Sequence, residues 1–279
     1  MAVVQSVTRR RFLIGGAAAS AVVIGGAGLE VTQNLHGTRR FLHRHGVIGG
    51  PDARPPAVSP PVEYGTIGTV NYGLYTPTGA PTVALYCLHG RGGNRHDAFD
   101  SMAVHRFVAD RNLPWVVASL DGGEGFWHRR RDGSDTQRDL VDVLMPFVAS
   151  RAPVTKSVLI GWSMGGFGAL LVSMQHPQLF SAAVANGPSV WTSFAAAQSG
   201  AFDDEADFHN NDVMANAPSL GESTRIDCGD DDPFAETVHA LGRVAPHAGV
   251  HVSDGYHEDA TWRSFLPAQL DFIARRTTP

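Results

Sequence analysis

From Val62 onward, apolar and polar positions fall into two alternating patterns. Short, almost unbroken apolar runs appear at "TVALYCL" (82–88), "PWVVASL" (114–120), "SVLI" (157–160), "FSAAVANG" (180–187), "STRIDCG" (223–229) and "GVHVSDG" (249–255). Runs of this length bounded by Gly, Pro, Asp or Asn read as strands covered on both faces. Between them the apolar spacing turns helical. In "DTQRDLVDVLMPFVASR" (135–151), Leu140, Val143, Leu144 and Phe147 share one face. Further helices are predicted near 97–112, over 164–175, over 234–244, and as an amphipathic closing helix from about 261 to 275. Ahead of all these, "VEYGTIGTVNYGLYTP" has turn-rich strand character and predicts an antiparallel pair. Residues 189–220 carry neither pattern and hold an acidic patch at Asp203, Asp204 and Glu205; they are expected to form a cap over the site.

Strands that alternate with helices predict the α/β class: a mostly parallel sheet with helices on both faces. Ligands of such sheets bind beyond the carboxyl ends of the strands. Chemistry is therefore sought in His89–Asn94, Asp121–His128, Ser163, the residues after Gly187, Asp230–Asp232 and His257.

The chain ahead of Val62 reads differently. It begins "MAVVQSVTRRRFLIGGAAASAVVIGGAGLE", where Thr8-Arg9-Arg10-Arg11-Phe12-Leu13-Ile14 matches a twin-arginine pattern. A Gly- and Ala-rich apolar run without charge follows, as an export signal requires. Residues 1–30 are expected to be that signal or an N-terminal anchor, with the export machinery as partner and a working place outside the cytoplasmic membrane. Residues 31–62 read as a connector, basic at first ("HGTRRFLHRHG") and then too proline-rich for helix or central strand ("PDARPPAVSPP"). Residues 63–279 are expected to be the folded domain.

Composition narrows the function classes. With 279 residues, 43% hydrophobic and 18% charged, the chain is globular and long enough for a substantial core. A net charge of −5 gives no reason to expect nucleic acid as a partner. Cys87 and Cys228 each sit in an apolar strand run and read as buried free thiols, not as a disulfide. No zinc-type spacing occurs, so no metal and no cofactor are expected. Oligomeric state is not legible.

"VLIGWSMGGFGAL" (158–170) carries the chemistry. Gly-x-Ser-x-Gly alone is a weak signal in a chain with 31 glycines. Its context is specific: it follows a predicted strand and opens a predicted helix. A sharp turn there lifts the Ser163 side chain into the open, and the Met164 N–H at the helix start faces any anion formed on it. A serine needs a base and a group that orients the base. In this kind of sheet the order is Ser, acid, His. "DCGDDDPF" supplies Asp232, with Asp230 as the second choice, and "DGYHEDATW" supplies His257. The loop "LHGRGGN" after the third strand would supply a second N–H, assigned to Arg91, while His89 reads as structural.

Together "LHGRGGN", "GWSMGGFGALL", "DCGDDDPF" and "GYHEDATWRSFLPAQLDF" resemble the α/β-hydrolase superfamily. More narrowly, the chain is similar to exported actinobacterial serine esterases of the group that includes esterase D and the antigen 85 mycolyltransferases. The resemblance spans roughly residues 63–276. It implies Ser163 as nucleophile, His257 as base, Asp232 as orienting acid, and the Arg91 and Met164 N–H groups as the oxyanion hole. It also implies that "DGGEGFWHRRRDG" (121–133) lines the site, with Trp127 and His128 as substrate contacts; ordinary loop packing is the equal alternative. The implied substrate is a small-molecule or lipid ester. Two competing functions are acyl transfer by the same residues, as in the mycolyltransferases, and a non-catalytic cell-envelope binding protein on the same fold.

Overall fold

The computed structural model describes residues 38–277. The twin-arginine segment and residues 31–37 of the connector lie outside the described residues. The described residues fall into two units that divide after Gly50. In the first, residues 38–44 form a helix inside the basic stretch read as a connector. Its end is closed by the Gly46 N–H donating to the His43 carbonyl at 2.8 Å. Among the described residues no helix is long and apolar enough to cross a membrane.

The second unit begins with the proline-rich stretch. Residues 51–62 form neither helix nor strand, as their prolines require. They nevertheless lie on the body: Arg263 pairs with Asp52 at 3.0 Å, Arg106 donates to the Pro56 carbonyl, and Ala53 and Val62 pack against the core.

Eight strands follow: β1 Glu63–Ile67, β2 Val70–Tyr75, β3 Val83–Leu88, β4 Trp115–Leu120, β5 Lys156–Trp162, β6 Ala182–Asn186, β7 Thr224–Gly229 and β8 Gly249–Ser253. They form one sheet in the order β1-β2-β4-β3-β5-β6-β7-β8. β1 and β2 are the predicted antiparallel pair, β2 joins β4 antiparallel, and every later pairing is parallel. β3, β4 and β6 are buried at every residue, as unbroken apolar runs require.

The sheet separates two cores. Along β3, Ala84, Tyr86 and Leu88 enter one core, and Val83, Leu85 and Cys87 the other, the period-two alternation of a strand. Cys87 and Cys228 fall in opposite cores, and both are free.

The helices are α1 Val104–Asp110, α3 Met164–Gln175, α4 Glu205–Asn210, α5 Val213–Asn216, α6 Ala235–Val244 and α7 Asp259–Thr277, with α2 lying between α1 and α3. α2 joins Thr136–Arg138, a π segment Asp139–Leu144, and Met145–Arg151. Pro146 has no N–H for the usual register, and the preceding Met145 N–H reaches back five residues to the Leu140 carbonyl. The helix predicted near 97–112 survives only as α1. Asn94 turns its side chain onto the His96 N–H at 2.9 Å, and Ala103 is left-handed at φ 51°, so tight turns fill 94–103 instead. The expected cap at 189–220 holds α4 and α5, started by Asp204 and Asp212 side chains that accept from Asp207 and Ala215 N–H groups. Its acidic patch has a structural role: Asp203 accepts from Arg130 at 2.9 Å and from the Arg131 N–H at 2.6 Å.

Between β3 and its two neighbours the chain reverses direction across the sheet. It passes from β3 to β4 on one side, then crosses to β5 on the other. Loops leaving the ends of β3 and β5 part there, and a crevice opens between them.

Candidate active site

Ser163 occupies the turn from β5 to α3 at φ 55° and ψ −118°. That backbone region is costly for any residue with a Cβ, on the order of 1–3 kcal/mol, and persists only where surroundings enforce it. Here they do. The Ser163 N–H donates to the Asn186 carbonyl at 2.8 Å, and its own carbonyl accepts from Phe167 and Ser189. The flanking glycines are dictated by contact. A Cβ on Gly161 would lie 2.0 Å from the Gly165 carbonyl oxygen, and one on Gly165 would lie 1.9 Å from that of Leu88. Helix α3 therefore starts almost against the sheet, and only Gly-x-Ser-x-Gly permits it.

The turn presents Ser163 Oγ to His257, whose Nε2 stands 2.9 Å away. His257 Nδ1 stands 2.7 Å from Asp232 Oδ2. With its hydrogen on Nδ1 facing the carboxylate, the imidazole offers the Nε2 lone pair to the serine hydroxyl. Asp232 is buried, and its other oxygen accepts from the Phe234 N–H at 2.8 Å. The ends of β7 and β8 are laced together by Asp230 N–H to the Ser253 carbonyl (2.7 Å) and Asp231 N–H to that of Gly255 (2.9 Å). This lacing carries Asp232 to His257. It turns Asp230 elsewhere, onto the Gly255 N–H at 3.1 Å.

The Arg91 and Met164 N–H groups belong to the two segments that meet at Ser163. Met164 is the first residue of α3, so its N–H has no acceptor within the helix. Gly90 approaches closely: a Cβ there would lie 3.4 Å from that of Ser163. The Arg91 guanidinium turns to Glu124 at 3.2 Å. His89, as expected, is structural. It is buried, its Nδ1–H donates to the Gly90 carbonyl at 2.7 Å, and its Nε2 accepts from the Gly122 N–H at 2.8 Å. Burial lowers its pKa, which keeps that neutral bridge between the two loops intact.

For the loop after β4, the structure shows the packing role of the two that the sequence left open. Trp127 is fully buried, at 0% exposure, and does not line the pocket at Ser163. Its ring fills the space left by Gly122 and Gly168, where an added Cβ would come within 2.4 and 2.5 Å of it, and its N–H donates to the His89 carbonyl at 3.3 Å. His128 is also buried, with both ring nitrogens on main-chain carbonyls, Arg129 and Ala201, at 3.1 Å. It borders a separate cavity of about 400 Å³ beside Gln137 and His176. Both residues pack the loop, and neither lines the pocket at Ser163. Sequence alone does not separate the two roles, because packing and ligand contact use the same residue types.

Other residues at the site received no individual role from the sequence, although Ser189 falls in the stretch after Gly187 where chemistry was sought. Ser189, buried just past β6, brings its Oγ to 3.3 Å from Ser163 Oγ. Trp262 of α7 stands edge-to-face on His257, centroids 4.9 Å apart, with Phe234 also against that imidazole at 5.5 Å. Trp262 follows His257 by five residues within the quoted motif, and that proximity was the available signal. A pocket of about 520 Å³ opens on Ser163 and His257, walled by Trp162 and Trp262 and rimmed by Asp97, Glu258 and Asp259. Burial, and then the neighbouring Asp259 and Asp100, raise the Asp97 pKa.

This architecture matches known proteins. The family described as "Putative esterase" matches residues 70–273. No curated protein matches the chain. Among solved structures, a ferulic acid esterase superposes with a TM-score of 0.63 at 20% identity, covering 77% of this chain and 98% of its own. An S-formylglutathione hydrolase from Agrobacterium tumefaciens gives 0.66 at 16%, covering 82% and 100%. The substrate-bound fluorophosphonate-binding serine hydrolase F of Staphylococcus aureus gives 0.59 at 18%, covering 82% and 100%. At these identities the likeness is one of fold, and that fold is the α/β-hydrolase fold expected from the sequence.

Proposed function

The chain belongs to this esterase family, as a carboxylic ester hydrolase, and from that premise we propose that it works through an acyl-enzyme on Ser163. The observation that carries the reading is the continuous chain Ser163 Oγ, His257, Asp232, with links of 2.9 and 2.7 Å. His257 takes the Ser163 proton as Oγ attacks the ester carbonyl. Asp232 holds the imidazole in the tautomer that accepts this proton and stabilises the imidazolium that results. The Arg91 and Met164 N–H groups receive the oxyanion. His257 then protonates the departing alcohol, and water, activated by the same imidazole, releases the acid. The substrate is a small-molecule or lipid ester. The enzyme is exported by the twin-arginine machinery, a reading that rests on the Arg9-Arg10 motif and its apolar run.

Short p-nitrophenyl esters and a fluorophosphonate probe test the catalytic reading. Ser163→Ala is expected to lose labelling and to lower kcat/KM by about four orders of magnitude or more while keeping its melting temperature. Undiminished hydrolysis by that folded variant would sink the assignment.

A further inference from the structure

We propose that Ser189 is a further catalytic residue: its hydroxyl donates to Ser163 Oγ and speeds departure of that oxygen from the acyl-enzyme. The proposal rests on the reading of Ser163 as nucleophile.

The two hydroxyls are held together by the backbone. The Ser163 N–H donates to the Asn186 carbonyl at 2.8 Å, and the Ser189 N–H donates to the Ser163 carbonyl at 3.1 Å. The short link between them, Gly187-Pro188, is wedged against α3, where a Cβ on Gly166 would lie 3.1 Å from Pro188. The exit of β6 is thus strapped to the serine turn, and the 3.3 Å between hydroxyls follows from that strap. Ser189 is 2% exposed, so water competes poorly for its proton. Among the described residues, Ser163 Oγ is the one hydrogen-bond partner of its side chain.

The direction of the bond follows from the neighbours. His257 Nδ1 faces Asp232, so Nε2 is the acceptor and the single Ser163 proton is committed to it. The remaining bond therefore has Ser189 as donor and Ser163 Oγ as acceptor.

Such a donor acts unevenly on the two half-reactions. Oγ carries similar charge when its bond to carbon forms and when it breaks, but in the free enzyme it starts as a hydroxyl that already accepts this bond well, so less is gained on attack. In the acyl-enzyme the same atom is an ester oxygen, a weak acceptor. Water then adds to the carbonyl carbon, and its proton passes to His257. As the adduct collapses, the bond from carbon to Oγ breaks, its electron pair returns to Oγ, and His257 Nε2–H delivers the proton there. Charge builds on Oγ during that step, and the Ser189 bond strengthens with it. An interaction stronger in the transition state than in the ground state accelerates the step. Hydrogen bonds to charged groups place the effect at about ten- to a hundredfold on deacylation.

The test uses Ser189→Ala, and Ser189→Cys as a variant of similar size with a weak donor, in stopped-flow hydrolysis of p-nitrophenyl acetate. The deacylation rate constant is expected to fall about tenfold or more in both. kcat and KM should fall together, leaving kcat/KM within about threefold, and a stoichiometric burst should grow. Fluorophosphonate labelling, which requires only attack by Ser163, should keep its rate within about threefold. Parallel losses in kcat/KM and labelling rate without a larger burst would mean that Ser189 merely holds the serine turn, and would overturn the proposal. So would unchanged deacylation. Failure of the wild-type enzyme to be labelled at all would instead strike the nucleophile assignment.

Discussion

Gly187→Ala adds one methyl group, and the structure says where it goes. Gly187 follows β6 at φ +45°, and an added Cβ would lie 2.7 Å from Asp232 Oδ2, 3.0 Å from Trp262 Nε1 and 3.3 Å from His257 Nδ1. Ordinary contact at such atoms starts near 3.4 Å, so the Asp232 carboxylate must retreat by about 0.7 Å. It has little room, because it is buried and tied to the Phe234 N–H. The retreat falls on the 2.7 Å bond that orients His257. A misplacement approaching 1 Å at a catalytic centre costs about a hundredfold in rate, and complete loss of the orienting bond about ten-thousandfold. We therefore expect kcat/KM for p-nitrophenyl acetate to drop by about 10² or more. The left-handed φ adds about 1–2 kcal/mol of destabilisation. For a body of this size that is a fall in Tm of about 2–8 °C, leaving the enzyme folded at 25 °C. Activity is measured there, alongside circular dichroism and a thermal melt. A folded Gly187→Ala enzyme within twofold of wild-type kcat/KM would refute the reasoning, because it would show that Asp232 and His257 can separate without consequence.

Three other outcomes follow from single features of the structure. The pocket is lined by three carboxylates, Asp97, Glu258 and Asp259, against one guanidinium, Arg91, which is paired with Glu124. This excess should disfavour anionic esters by roughly tenfold against neutral isosteres at low salt, with the gap shrinking at about 0.5 M salt; equal kcat/KM for a monosuccinate ester and its neutral analogue would contradict this. His105, buried between Tyr75 and Phe99, has its pKa pushed down from 6.5 to about 4, mainly by burial and then by Arg106. A histidine depressed in the folded state contributes stability that is complete above the unfolded pKa and is lost as pH falls from 6.5 toward about 4, on the order of 2–3 kcal/mol. Thermal melts should therefore decline less steeply over that window in His105→Phe than in wild type, and identical slopes would remove the assignment. Finally, Ser163→Gly should melt about 2–4 °C above Ser163→Ala, since only glycine relieves the φ of 55°; equal melting temperatures would mean that the turn holds no strain.

Much of the fold lay in local patterns. Unbroken apolar runs marked the strands because each strand of a covered parallel sheet meets side chains on both faces, a property of the strand itself. Gly161 and Gly165 marked the serine turn because two backbones nearly touch there and no other residue fits. The helix over 164–175 was legible to its ends for the same reason: the glycines set its start. The order of Ser163, Asp232 and His257 is likewise a property of the chain. What sequence left open depends on which strand ends lie side by side. Sequence ranked Asp232 ahead of Asp230 by position alone; the lacing of β7 to β8 turns Asp230 onto the Gly255 N–H and Asp232 onto His257. Trp127 and His128 read equally well as ligand contacts or as packing, and the close approach of α3 at Gly168 buries Trp127. Ser189 carries no motif at all. Its hydroxyl reaches Ser163 only because β6 lies beside β5, joined in parallel register from Val158↔Ala182 to Trp162↔Asn186. Periodicity and turn chemistry act over a few residues and are written locally, whereas the direction of a side chain at a site is set by neighbours distant along the chain, and it exists only once the sheet has formed.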